Sequence, residues 1–141
     1  MTLFIIGTHL GNLEDISLRA LRVLKEADVI LAEDTRHTGL LLKHFEISHK
    51  LFVSLYEEVE AQKLAELLAL VSSDQKVVLV SDAGTPLISD PGYKLVREAI
   101  KLGVKVEVVP GPSAVLAALV ASGLPPDKFT FWGFPIKNNV R

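Results

Sequence analysis

Short apolar runs alternate with amphipathic stretches along almost the whole chain, and this alternation constrains the fold more than any other feature. Leu3–Ile6, Asp28–Ala32, Val77–Val80 and Val104–Val109 are apolar runs of strand length. Leu51–Phe52–Val53 is a weaker one. Between the first two runs, Ile16, Ala20, Val23, Leu24 and Ala27 recur at helical spacing, with Arg19, Arg22, Lys25 and Glu26 among them. Asp15 or Ser17 can cap this helix. Strands that alternate with helices imply crossover connections and a mainly parallel sheet. Strands that are apolar on both sides agree, because such a sheet is covered on both faces. The expected fold class is therefore α/β, with a mainly parallel five-stranded sheet flanked by helices.

Further helices are expected over Thr38–Phe45 and over Glu57–Ser72. Asp90 suits the N-cap of another and Pro91 its first position, with Gly103 closing it from C′. Gly111-Pro112-Ser113 opens an almost wholly apolar helix that stops at Gly123. Its continuous apolar core, Ala114–Ala121, is far short of the ~20 residues a membrane span needs, so it reads as a buried helix. Phe129–Phe134 reads as one more strand of the core, and stacking on bases is the alternative use of its aromatics.

The chain has 141 residues, room for one ordinary domain. Its formal net charge of -2 excludes a strongly basic nucleic-acid clamp, but not a local patch. With no cysteine, disulfides, thiolate metal sites and cysteine nucleophiles are excluded. His9, His44 and His49 lack the spacing of a metal site, and no metal is expected. With glycine counted and tyrosine left out, about 54% of the chain is apolar, above the usual ~45–50%. Such a surplus implies surface that packs against something outside this domain.

Ligands of open α/β sheets bind beyond the carboxyl ends of the strands. Four loops there are unusual. Gly7-Thr8-His9-Leu10-Gly11-Asn12 is neither a dinucleotide fingerprint nor a P-loop. It is either a plain turn or a close backbone approach to a ligand lacking a phosphate chain. Glu33-Asp34-Thr35-Arg36-His37-Thr38 can supply a base, a cation and a hydrogen-bond relay, or can be an internal salt-bridge knot. In Ser81-Asp82-Ala83-Gly84-Thr85-Pro86, Asp82 is an acceptor suited to a ribose hydroxyl or an amino group. Pro110-Gly111-Pro112-Ser113-Ala114 places Ser113 and free N–H groups at a helix start.

Taken in order, Gly11–Ala20, Ala32–Thr38, Val80–Pro86, Ile88–Tyr93, Pro110–Ala114 and Ala121–Pro125 resemble the ribosomal RNA small subunit methyltransferase I family, within the tetrapyrrole-methylase superfamily. The resemblance runs the length of the chain. It implies a cytoplasmic enzyme that uses S-adenosylmethionine to 2′-O-methylate a cytidine of 16S ribosomal RNA in the small subunit. It also implies two α/β domains with the cofactor in the cleft between them, and a homodimer. Gly84-Thr85-Pro86 stands where the superfamily has Gly-Asp-Pro, and His9-Leu10 where the family has a proline followed by an aliphatic residue. The implied cofactor contacts are Leu10, Ala83, Gly84, Thr85, Ile88, Ser113 and Ala114, and Asp82 joins them as a cofactor candidate by its residue type. For the chemistry, Asp34 or Glu33 is expected to accept or orient the hydroxyl proton. Arg36 is expected to contact RNA phosphate and Asn12 to help place the ribose. Residues 1–134 are read as the N-terminal domain, and 135–141 as the start of a linker to a second domain. A small-molecule methylase of the same superfamily and a non-catalytic binding fragment are the competing readings.

Overall fold

The computed structural model describes residues 1–48 and 50–134, so His49 and the expected linker at 135–141 lie outside the described residues. Five strands, β1 (Thr2–Ile6), β2 (Val29–Ala32), β3 (Leu51–Ser54), β4 (Val77–Val80) and β5 (Lys105–Val109), form one sheet in the order β3-β2-β4-β1-β5. Every neighbouring pair is parallel. All five strands therefore end at the same edge of the sheet, where the four unusual loops begin.

The apolar strands sort by a period of two. Leu3, Ile5, Val29, Leu31, Val77 and Leu79 face one layer of the core, which also holds Leu67, Val71, Leu95 and Ala99. Ile6, Ile30, Ala32, Val78 and Val80 face the other, with Ala20, Val23, Leu24, Leu41 and Leu42. The helices of the second layer are α1 (Leu18–Glu26) and α2 (Thr35–His44). Those of the first are α4 (Leu64–Val71) and α5 (Tyr93–Lys101). The Ser17 hydroxyl accepts from the Ala20 amide at 3.0 Å, so Ser17 rather than Asp15 caps α1. Gly103, at φ 79, ends α5 as expected.

Five expectations need correcting. α2 starts at Thr35, a turn earlier than Thr38, because the Asp34 side chain accepts from the Arg36 amide at 2.8 Å and caps it. The stretch Glu57–Ser72 is broken at Lys63 into α3 (Glu57–Gln62) and α4. Asp90 does not cap α5: the helix begins at Tyr93 after Gly92, whose φ of 116 places it in the left-handed region. The acceptor for that helix start is Glu60, from α3. Its buried carboxylate takes the Gly92 amide at 3.3 Å and the Leu95 amide at 2.7 Å.

The other two corrections concern the C-terminal third. Phe129–Phe134 is not a strand. Helix α6 (Ala114–Ala121) is not buried: none of its residues is, and Val120 is 79% exposed. A helix apolar all round has no preferred inward face, and only a part of it can meet this domain. Leu116, Leu124, Phe129, Trp132 and Phe134 extend the exposed apolar surface.

Candidate functional site

The loops at the sheet edge are fastened to one another through main-chain groups. The Gly7 amide donates to the Val109 carbonyl at 3.0 Å, carrying the β1–β5 ladder one residue beyond the strands. Gly7 and Gly111 meet there without side chains, and a Cβ on either would lie 2.7 Å from the other's backbone. The Thr8 amide donates to the Gly84 carbonyl at 2.9 Å, and the Gly84 amide to the His9 carbonyl at 2.8 Å. The Thr85 hydroxyl donates to the Pro112 carbonyl at 3.0 Å. Three loops from β1, β4 and β5 thus form one frame, which explains why glycine is needed where the backbones close on each other.

This frame encloses a cavity of about 240 Å³. Leu10 lines it from the first loop and Ala83, Gly84, Thr85 and Ile88 from the third. Ser113 and Ala114 line it at the start of α6, where Ser113 makes no side-chain cap and leaves the first helical amides open. All seven residues that the resemblance singled out for the cofactor therefore share one cavity. Asp82, a cofactor candidate by its residue type, lines another. Gly7, Asp34, Asp82 and Pro110 all stand at this edge of the sheet, but none of them lines this cavity.

Sequence reasoning missed Ser89, Asp90 and Phe131, which also line the cavity. Leu87 and Ser89 adopt φ of 70 and 66, conformations that L-residues rarely hold without support. The only sequence signal for this was the proximity of Ser89 and Asp90 to the third loop. Phe131, expected in a core strand, has no sheet partner and lines the cavity instead.

The second loop carries the acidic candidates, and its geometry separates them. The Asp34 carboxylate accepts from the Arg36 amide and Nε through Oδ1, and from Nη2 through Oδ2 at 2.6 Å. The Arg36 guanidinium and amide hold its carboxyl well below the usual carboxylate range. Both oxygens are occupied, so Asp34 is built to organise α2 and Arg36. Glu33 is the opposite case. Burial, followed by the charges of Asp90, Asp82 and Asp34, pushes its carboxyl up. It opens on a different cavity, lined also by Glu57, Glu60 and Asp90. Asn12 caps a short 3₁₀ turn (Leu13–Asp15) by accepting from the Glu14 amide at 3.0 Å.

A raised carboxyl pKa means that the folded state holds the proton more tightly than the unfolded chain. Its stabilisation is then largest at acid pH and is lost as pH rises through the folded value. Glu33→Gln is expected to raise the melting temperature at pH 7. The gain should shrink toward zero near pH ~4, where the unfolded carboxyl is itself protonated. A Glu33→Gln protein that melts lower than wild type at pH 7 would contradict this electrostatic account.

Residues 2–132 match the family model described as Tetrapyrrole (Corrin/Porphyrin) Methylases. A protein of Escherichia coli O157:H7 named ribosomal RNA small subunit methyltransferase I is 54% identical over 99% of this chain, which spans 49% of that relative. Its counterpart by name in Vibrio cholerae is 55% identical over 99% of the chain and 48% of its own length. The chain thus spans about half the length of these curated relatives. Among solved structures, the uroporphyrin-III-C-methyltransferase of Thermus thermophilus superposes with a TM-score of 0.62 at 31% identity, over 88% of this chain and 52% of that one.

Proposed function

Because the chain belongs to the tetrapyrrole (corrin/porphyrin) methylase family, we propose that it forms the N-terminal, cofactor-holding domain of an S-adenosylmethionine-dependent methyltransferase acting on RNA. The proposed reaction is 2′-O-methylation of a cytidine in 16S ribosomal RNA, within the small subunit and in the cytoplasm. One observation carries this reading: seven residues from three separated motifs converge on one cavity. The relatives named for ribosomal RNA methylation are 54–55% identical, against 31% for the porphyrinoid enzyme, and this favours RNA over a tetrapyrrole substrate.

The cavity fits part of such a cofactor. Leu10, Ile88 and Phe131 offer apolar walls to an adenosyl group, while Ser113 and the open amides of α6 suit a carboxylate. Gly84 holds φ 72, a left-handed conformation that glycine adopts freely, and so sets the bend of the third loop beside the cavity. When bound, S-adenosylmethionine supplies a methyl group activated on a sulfonium. Arg36, exposed on α2, would contact the RNA phosphate, and Asn12 would help place the ribose from the first loop. Asp34 would hold Arg36 in register. Turnover of small ribosomal subunits by the full-length protein, with a porphyrinoid offered in parallel, tests the reading. Methyl transfer only to the porphyrinoid would replace it with the small-molecule alternative.

The size of the cavity bears on what these 141 residues do by themselves. About 240 Å³ falls below the ~300–1,000 Å³ of ordinary ligand sites. A second domain closing over it would supply the remainder of the site, and the exposed apolar surface of α6 and residues 124–134 would be its seat. The 141-residue chain is therefore expected to fold and to self-associate, as a dimer. It is expected to bind S-adenosylmethionine weakly or not at all and to methylate no RNA. Micromolar binding by calorimetry, or a clean monomer in concentrated sedimentation runs, would each count against the corresponding half.

A further inference from the structure

The proposed transfer needs a group that takes the ribose hydroxyl proton, and the two carboxylates expected to do so are poorly placed. Asp34 has both oxygens committed to Arg36 and its helix cap. Glu33 opens on a cavity shared with Glu57, Glu60 and Asp90, whose negative charges would repel a phosphate backbone.

A different cavity, of about 460 Å³, is lined by His9, His37, His44 and Asp82, with Leu13 and Leu40. It lies against the frame already described. His9 and Asp82 face this cavity, while their chain neighbours Leu10 and Ala83 line the smaller one. The wall between them is held by the hydrogen bond from the Gly84 amide to the His9 carbonyl. Among the described residues no three histidines, cysteines or carboxylates are grouped so as to hold a metal ion.

Asp82 joins the two halves of the site. One carboxylate oxygen, Oδ1, accepts from the Asp34 amide at 3.1 Å, and the other, Oδ2, lies 3.0 Å from His37 Nδ1. An ionised carboxylate only accepts, so the proton of a neutral imidazole sits on Nδ1 and the lone pair on Nε2. The His37 side chain is 63% exposed and Asp82 35%, so the ring is held at its inner edge and open at its outer one. The charged and titratable groups around this ring are Asp82, Asp34 and Arg36, with His9 and His44 on the cavity wall.

We infer that this histidine-lined cavity seats the acceptor nucleoside of the RNA, and that His37 Nε2 takes the ribose hydroxyl proton while Asp82 positions the ring. The inference rests on the proposed RNA methylation and names the acceptor side of that site. In the step, the O–H bond breaks and its proton passes to Nε2. The oxygen's electron pair forms a bond to the methyl carbon of a sulfonium donor, and the pair of the broken C–S bond stays on sulfur as a neutral thioether. One positive charge moves from sulfonium to imidazolium, where the Asp82 carboxylate faces it.

The test uses the full-length protein with small ribosomal subunits and S-adenosylmethionine. His37→Ala should lower kcat by ~10²–10⁴-fold, with the Kd for the methyl donor unchanged by calorimetry. The acid-side fall of the kcat–pH profile should vanish in this variant, and added imidazole should restore part of the rate. Asp82→Asn, which can still accept from the Asp34 amide, should lower kcat less than His37→Ala. Without any methyl donor, millimolar cytidine monophosphate should shift the His37 Nε2 resonance in an ¹⁵N-imidazole spectrum. An active wild type whose His37→Ala variant keeps kcat within twofold, or whose acid limb is removed by Glu33→Gln instead, overturns the inference and leaves the RNA reading standing. A wild type that methylates no subunit RNA overturns both.

Discussion

Gly111→Ala is expected to destabilise the domain by about 3 kcal/mol or more, although it adds one methyl group. That methyl would sit 2.7 Å from the carbonyl carbon and oxygen of Gly7 and 2.8 Å from its Cα. All three are main-chain atoms, and the amide of the same residue is tied to the Val109 carbonyl at 3.0 Å. No side chain can swing away, so relief requires β1 and β5 to part. The relation between stability and melting temperature for domains near this size gives a fall of roughly 10 °C. Gly39→Ala is the contrasting substitution, in α2, where a Cβ meets nothing within 4 Å. It should stabilise by about 0.5–1 kcal/mol through helix propensity. Urea denaturation of both variants measures the contrast, and a Gly111→Ala protein within about 0.5 kcal/mol of wild type would refute the close approach.

Glu60→Ala should be nearly as damaging, for an unrelated reason. Glu60 is 3% exposed, and its carboxylate is the acceptor for the Gly92 and Leu95 amides. Deleting it leaves two buried donors without partners, at a cost of about 1–3 kcal/mol each. Gly92 itself cannot adjust, because it is held at φ 116 with Leu79 and Leu87 beside it. Glu60→Gln keeps one acceptor oxygen and should fall between wild type and Glu60→Ala. Hydrogen exchange gives the sharper readout: the Leu95 amide should lose protection in Glu60→Ala. Its unchanged protection in Glu60→Ala would mean that water or another group replaces the carboxylate.

Both residues bear on what the sequence made legible. Strands β1, β2 and β4 could be read directly, because each is apolar on two faces and ends in a turn signal. The frame of Gly7 and Gly111 was legible only as two suspicious glycines: which backbones meet is set by strand order, and no local pattern encodes it. Glu60 gave no signal, since a glutamate three residues into an acidic helix start looks like solvated surface. Its partner lies 35 residues further on. Asp90-Pro91 offered a complete local capping signature, yet the remote carboxylate occupies the role, an instance of tertiary contact overriding local preference. Asp34 was legible as a charged loop residue; that its charge is consumed within three residues by Arg36 became clear only with the side chains in place. The exposed α6 was misread for a simple reason. Apolar content says that a surface wants covering, not which chain covers it.

The strand order β3-β2-β4-β1-β5 also dictates how this domain emerges from a ribosome. β1 is made first, but its only neighbours are β4 and β5, which begin at Val77 and Lys105. At a synthesis rate of ~5–20 residues per second, the nascent first strand waits roughly 4–15 s before any partner exists. During that time β2 and β3 can pair with each other, while Leu3, Phe4, Ile5 and Ile6 remain an unpaired apolar strand. The central strand, β4, is made fourth, and both interior pairings, β2–β4 and β4–β1, wait for it. Such an order makes the folding of this domain slow to commit, and it makes the nascent β1 a natural client for whatever chaperone stands at the tunnel exit.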